Sequence, residues 1–110
     1  RVTNFDLEKL VETSDEWIQK RTGIAERRIS DGDTVSTLAA MACKNALEMA
    51  GKAANEVDLI IVATCSPELL LPCCACQVQD ALGASDAVAF DLNAACSGFL
   101  FALNTANEYL

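Results

Sequence analysis

The run Ala87–Gly98, AVAFDLNAACSG, constrains this chain more than any other stretch. Ala87 to Leu92 is apolar apart from one polar interruption, which suits a buried strand. Asn93-Ala94-Ala95 then leads through Cys96 and Ser97 to Gly98, and a helical pattern follows from Phe99 to Leu110. A cysteine therefore falls at a strand-to-helix turn, at or near the first turn of a mostly apolar helix. Unpaired N–H groups at a helix start favour negative charge. A thiol held at such a place ionises more readily, and the thiolate is the nucleophile. Small residues on both sides admit a substrate carbonyl, and the same N–H groups can stabilise an oxyanion. The competing reading of Cys96 is a buried structural thiol, the common fate of a free cysteine.

The rest of the composition bounds the setting. Of 110 residues, 52% are hydrophobic. That is more apolar than a free domain of this size needs, so further chain or a partner is expected to cover part of the surface. Residue 1 is Arg, and Glu108-Tyr109-Leu110 stops within a helical pattern without Gly, Asn or Pro. Both features read as a piece of a longer protein. The net charge of −8 argues against non-specific nucleic-acid binding and against anionic membranes. No apolar run reaches transmembrane length. Lys20, Arg21, Arg27 and Arg28 are half of the eight basic residues, either a local anion site or a solvated turn. The six cysteines, Cys43, Cys65, Cys73, Cys74, Cys76 and Cys96, lie in apolar runs, and no secretory signal is visible. That usage points to a reducing cytosol.

Along the chain, Asn4–Val11 reads as a short amphipathic helix. A second is expected over Ser14–Arg21, with a Thr13/Glu16 capping box at its start and Gly23 as its stop. Ile24–Thr34 is polar and turn-rich. Ser36–Ala50 is a helix ended by Gly51, apolar on nearly all sides and therefore expected to be buried on most faces. Lys52–Glu56 links it to Val57–Thr64, a β-branched run fit for a central parallel strand. Glu68–Pro72 is a loop that exposes Leu69, Leu70 and Leu71. Pro72 suits the first turn of a helix through Cys73–Leu82 that stops at Gly83. Helix and strand in this order predict an α/β layered fold.

Two side-chain groupings carry chemical interest. Trp17 and Arg21 are one helical turn apart and share a face. An aromatic plate beside a guanidinium can hold an adenine ring and a phosphate; a core tryptophan with a rim arginine has the same spacing. Cys73-Cys74-Ala75-Cys76 invites a metal site, but structural zinc sites usually pair two separated ligand clusters, and the chain has no histidine. No metal is expected. Small residues at a close helix contact explain the cluster more economically. A Cys73–Cys76 disulfide is conceivable, though a reducing compartment does not call for one.

The segments TSDEWIQKRTGIAERRI (Thr13–Ile29), DTVSTLA (Asp33–Ala39), LIIVAT (Leu59–Thr64), ACQVQ (Ala75–Gln79) and AFDLNAACSGF (Ala89–Phe99) together resemble the β-ketoacyl-acyl carrier protein synthase III family. Its members are thiolase-superfamily condensing enzymes that start bacterial fatty-acid synthesis. The resemblance runs over residues 1–110, and the DEW-x₃-RTGI and AACSGF runs in that order are specific. It implies a thiolase-like αβαβα fold of two similar halves. This chain would be most of the first half as a partial N-terminal domain, without the first strand and the second half.

The same resemblance implies roles. Cys96 matches the nucleophile that takes an acetyl or other short acyl group from acyl-CoA. Trp17 matches the residue stacked on the CoA adenine, and Arg21 and Thr13 match residues near the CoA nucleotide. Leu71 matches a position, often aromatic, where one subunit of a homodimer caps its partner's acyl pocket; leucine there leaves the primer length open, to acetyl or something larger. The second substrate would be malonyl-acyl carrier protein, with no cofactor beyond the substrates. The His and Asn needed for decarboxylation would lie in the second half, so the 110 residues alone are expected to be inactive. A cytoplasmic enzyme is implied. The alternatives are a related CoA acyltransferase, a secondary-metabolite starter synthase, or a non-catalytic cysteine-rich metal-binding module.

Overall fold

The computed structural model describes Arg1–Tyr109. Two compact units divide the chain, Arg1–Gly32 and Asp33–Leu110.

In the first unit, strand β1 (Val2–Thr3) pairs antiparallel with β2 (Glu26–Arg27), and between them lie helices α1 (Asn4–Leu7) and α2 (Asp15–Thr22). The polar segment after Gly23 thus supplies a strand where only turns were expected. Helix α1 is shorter than the apolar spacing suggested. Its capping box is formed by Thr3 and Asp6, and Phe5, Leu10 and Val11 face solvent, so no apolar contact extends it. The centre of this unit is a polar side chain. Asn4 is fully buried. Its Nδ2 donates to Asp15 Oδ1 at 2.8 Å and to the Ile24 carbonyl at 2.7 Å. Its Oδ1 accepts from Arg27 Nη2 at 2.7 Å. A buried amide with all these partners satisfied ties both helices and β2 together.

Helix α2 starts one residue later than the Thr13/Glu16 box would place it. Ser14 is the N-cap and its Oγ accepts from the Trp17 N–H at 3.1 Å. Serine is as good a cap as threonine, and the Asn4–Asp15 bond fixes the register. Gly23 ends the helix at φ 70°, a left-handed conformation that glycine adopts without a Cβ penalty.

The second unit contains α3 (Val35–Ala50), β3 (Leu59–Ala63), α4 (Cys74–Leu82), β4 (Val88–Leu92) and α5 (Gly98–Glu108), with short 3₁₀ turns at Ala54–Glu56 and Ala95–Ser97. The part of the last helix pattern at Leu110 lies outside the described residues. Strands β3 and β4 are parallel, in register Leu59↔Val88 to Ala63↔Leu92. Side chains alternate across a strand. Ile60, Val62 and Ala89 pack with Ala40 of α3 and Cys74, Ala75 and Val78 of α4. Leu59, Ile61 and Ala63 face the other way, toward Phe99, Ala102 and Leu103 of α5. The result is helix, sheet, helix: the α/β layered class expected from the sequence.

Two expectations need correction here. Helix α3 is not buried on most faces: Ala40 is buried, but Leu38 and Met41 are exposed and Met49 is 90% exposed. Its apolar ring is covered on the face toward α4 and β3, and the rest of the ring stays open. Pro72 is not within the first turn of α4. Cys73 is the cap residue and Pro72 precedes it, because the carboxylate of Asp91 sets the helix start at Cys74 and Ala75.

Candidate functional site

Cys96 occupies the 3₁₀ turn Ala95–Ser97 and is exposed. The turn begins after the carboxyl end of β4 and runs directly into α5. In parallel α/β sheets ligands bind beyond the carboxyl ends of the strands. The backbone there is unusual: Ala95 has φ 45°, a left-handed conformation that a residue with a Cβ adopts at a cost of order 1 kcal/mol or more. Three features hold it. The Ser97 N–H donates to the Ala94 carbonyl at 3.0 Å. The Thr64 N–H donates to the Leu92 carbonyl at 3.1 Å, so the strand ends stay joined where the turn leaves. Gly98 is buried and lies against Ala63 at the end of β3. The turn therefore presents its thiol outward from a fixed base, and Cys96 is not a buried structural thiol.

Asp91 is the polar interruption in the β4 run. It stands opposite Val62, on the α3/α4 face. Its oxygens accept the N–H groups of Cys74 at 2.9 Å and Ala75 at 2.7 Å. A carboxylate on the first N–H groups of a helix neutralises both orphan donors and the positive end of the dipole. One strand thus carries the anchor of α4 and leads to the Cys96 turn. Sequence reasoning treated Asp91 as an interruption only. Its signal was legible, because a carboxylate in a buried strand must find donors.

Of the other cysteines, Cys65 is exposed two residues after β3, and four lie on α3 or at the start of α4. Cys74 is fully buried; its thiol is pushed up to about 11, first by burial and then by Asp91, Glu68 and Cys73. Cys43 is half-buried on α3, and burial raises its thiol too. Cys73 and Cys76 are half-buried with their Sγ atoms 3.3 Å apart. The Cys76 thiol is raised, chiefly by its hydrogen bond with Cys73. Among the described residues no group of three or more His, Cys, Asp or Glu side chains is arranged to hold a metal ion. Cys74 is fully buried, Cys73 packs against the core beside it, and Cys76 is half-buried one turn on.

In the first unit, Trp17 is 52% exposed on α2. The Arg21 guanidinium lies over its ring, with Cζ 4.1 Å from the centroid. Thr13 and Trp17 line one shallow depression with Glu12 and Ser14. Thr13, Trp17 and Arg21 are therefore brought together on one surface: an aromatic plate, a cation and a hydroxyl. Leu71, in the second unit, is 86% exposed at the end of the Leu69–Leu71 loop. No helix among the described residues is long and apolar enough to cross a membrane.

No protein-family model matches the chain. Individual proteins do. The β-ketoacyl-[acyl-carrier-protein] synthase III of Clostridium acetobutylicum is 55% identical over 109 residues, covering 99% of this chain and 34% of that protein. The chain is similar to members of the β-ketoacyl-acyl carrier protein synthase III family. The crystal structure of the 3-oxoacyl-[acyl-carrier-protein] synthase III from Aquifex aeolicus VF5 superposes with a TM-score of 0.86 at 52% identity, over 98% of this chain and 35% of that one. The priming β-ketosynthase of the R1128 polyketide biosynthetic pathway follows at 0.83 and 38%, over 96% and 32%. The chain spans about a third of the length of these synthase III relatives. The thiolase-like α/β fold implied by the sequence resemblance is the fold of these neighbours.

Proposed function

We propose that the protein carrying this chain is a condensing acyltransferase of the β-ketoacyl-acyl carrier protein synthase III type. The observation that carries the proposal is the exposed Cys96 in a strained turn between β4 and α5. In the first half-reaction the Cys96 thiolate attacks the carbonyl of acetyl-CoA or another short acyl-CoA. The carbon–sulfur bond to CoA breaks, CoA leaves as its thiol, and the acyl group stays on Cys96 as a thioester. Backbone N–H groups of the turn and the α5 start are the candidates to hold the oxyanion. Trp17 stacks on the adenine, and Arg21 and Thr13 bind the nucleotide end.

In the second half-reaction malonyl-acyl carrier protein loses carbon dioxide, and the resulting carbanion attacks the acyl group to give a β-ketoacyl-acyl carrier protein. The His and Asn for that step lie outside these residues. No cofactor is needed beyond the substrates. The working form is a cytoplasmic homodimer in which Leu71 caps the partner's acyl pocket, with room for a primer larger than acetyl. A second reading, a starter synthase of secondary metabolism, draws support from the likeness to the R1128 priming β-ketosynthase.

The test is acyl mapping on the full-length protein. Incubation with acetyl-CoA is expected to label Cys96, and Cys96→Ala is expected to lose the label; equal labelling of that variant overturns the proposal. Carbon dioxide release from malonyl-acyl carrier protein then separates a condensing enzyme from a plain CoA acyltransferase.

A further inference from the structure

The proposed reaction makes no use of Cys73 and Cys76. Cys73 is the cap residue of α4 and Cys76 is the third residue of its first turn. Their Sγ atoms lie 3.3 Å apart, whereas a disulfide needs about 2.05 Å, so small χ1 rotations bring them into bonding range. The backbone beneath them is clamped. Asp91 accepts from the N–H groups of the two intervening residues, Cys74 and Ala75, and the Gln77 N–H donates to the Cys73 carbonyl at 3.1 Å. Two sulfurs on a clamped turn lose little conformational entropy when they join. Access is also provided, since Cys76 lines an open polar depression with Gln79, Asp80, Gly83 and Ser85. Cys74, between them, is buried and takes no part.

We propose that Cys73 and Cys76 are a reversible redox pair that closes to a disulfide by exchange with a low-molecular-weight disulfide. One thiolate attacks a sulfur of the small disulfide RS–SR; that S–S bond breaks and RS⁻ leaves. The second thiolate attacks the protein sulfur of the mixed disulfide; the Cys73–Cys76 bond forms and the second RS⁻ leaves. The two protons lost from the cysteines end on the two RS⁻ groups. The protein pair is oxidised and the small disulfide is reduced to two thiols. Closure fastens the end of the Leu69–Pro72 loop to the first turn of α4. Disulfides in reducing compartments are mostly transient and redox-sensing, which is the behaviour such a pair would show.

The experiment equilibrates the full-length protein in a series of oxidised and reduced glutathione mixtures, quenches with acid, alkylates, digests and weighs the peptides. The peptide holding Cys73 and Cys76 is expected to lose two hydrogens in mass and resist alkylation at both positions, and to regain both on reduction with dithiothreitol. Alkylation at both positions at every ratio, or a stable glutathione adduct in the parent protein, overturns the proposal. Cys76→Ser is expected to abolish the closed form and retain one glutathione on Cys73. A closed form that persists in this variant, through Cys74, also overturns it.

Discussion

A Cβ placed on Gly98 would lie 3.2 Å from the Cβ of Ala63, nearer than side chains ordinarily approach. The first residue of α5 therefore rests directly on the last residue of β3, and the Cys96 turn is drawn down onto the sheet. Gly98 has ordinary right-handed helical angles, φ −52° and ψ −45°, so its role is proximity and not backbone freedom. Gly98→Ala sits at the first residue of α5, where helix propensity counts for little, and pushes the start of α5 away from β3. We expect near-wild-type stability with Cys96 acylated more slowly by acetyl-CoA. Adding Ala63→Gly reopens the space and is expected to recover part of the rate. Single-turnover acylation of the two variants in the full-length protein checks this; equal rates for Gly98→Ala and parent would remove the positioning argument.

Asp91 is the one side chain on β4 that reaches α4 through charge-assisted bonds. Asp91→Ala leaves the N–H groups of Cys74 and Ala75 without that carboxylate in a half-buried place. Bonds to a charged acceptor are worth about 1.5–3 kcal/mol, so a loss of about 2 kcal/mol is expected. A lower urea midpoint with unchanged slope is the expected reading.

The legible part of the sequence was the part written by local rules. Gly23, Gly51 and Gly83 end α2, α3 and α4 in left-handed conformations, and the apolar runs at Leu59–Ala63 and Val88–Leu92 are strands. The Cys96 turn followed from strand, small residues and helix in succession. What stayed hidden depends on distant partners. Nothing near Asn4 in sequence shows that Asp15, Ile24 and Arg27 will surround it. The pairing of Val2–Thr3 with Glu26–Arg27 joins short segments too polar to show a period. The exposure of α3 was hidden for another reason: periodicity reports which faces are apolar, not whether a neighbour covers them.

The cysteines are expected to separate by reactivity. Cys65 and Cys96 are exposed and should be alkylated first under native conditions. Cys74, buried and pushed up to about 11, should be alkylated last, because attack requires a thiolate that can reach the reagent. Since the Cys76 thiol also lies above the ordinary range, closure of the Cys73–Cys76 pair should accelerate as pH rises. Time-resolved iodoacetamide labelling with peptide mapping reads the order; early labelling of Cys74 would contradict the packing described for α4.

Acid should loosen the fold. Asp6 is held low by the Thr3 hydroxyl, Asp15 by the Gln19 amide and Glu26 by Arg28. Glu56 is held low by the Ala53 N–H and Glu68 by the Ser36 N–H. Each folded-state value lies below its unfolded value, so the unfolded chain binds more protons and stability rises with pH. The contribution is complete above the ordinary carboxylate range of about 4 and is lost as pH falls through the lower folded values. Glu56 and Glu68 are exposed and Asp6, Asp15 and Glu26 are half-buried at the surface, so solvent screens each contribution. Urea midpoints recorded downward from neutral pH should stay level and then fall below that range. A flat profile to lower pH would mean these bonds do not persist in solution.

Asn4 offers the sharpest test of how α2 is held. Asp15, at the start of α2, takes one of its amide protons, the Ile24 carbonyl takes the other, and Arg27 donates to its oxygen. Asn4→Ala removes all three contacts and leaves a small void. A buried polar group stripped of its partner costs about 1–3 kcal/mol. Here Asp15 keeps Gln19, and Arg27 keeps the Val2 carbonyl at 3.4 Å, so the loss should fall near the middle, about 2 kcal/mol. Trp17 and Arg21 stand two and six residues beyond Asp15 on that helix, so their platform should lose order with it. The expected signature is weaker CoA binding without loss of the intrinsic reactivity of Cys96 toward a small acyl donor that lacks the nucleotide. Loss of both together would mean that Asn4 supports more than the α2 surface, and loss of neither would mean that the Ser14 cap and Gly23 hold α2 without it.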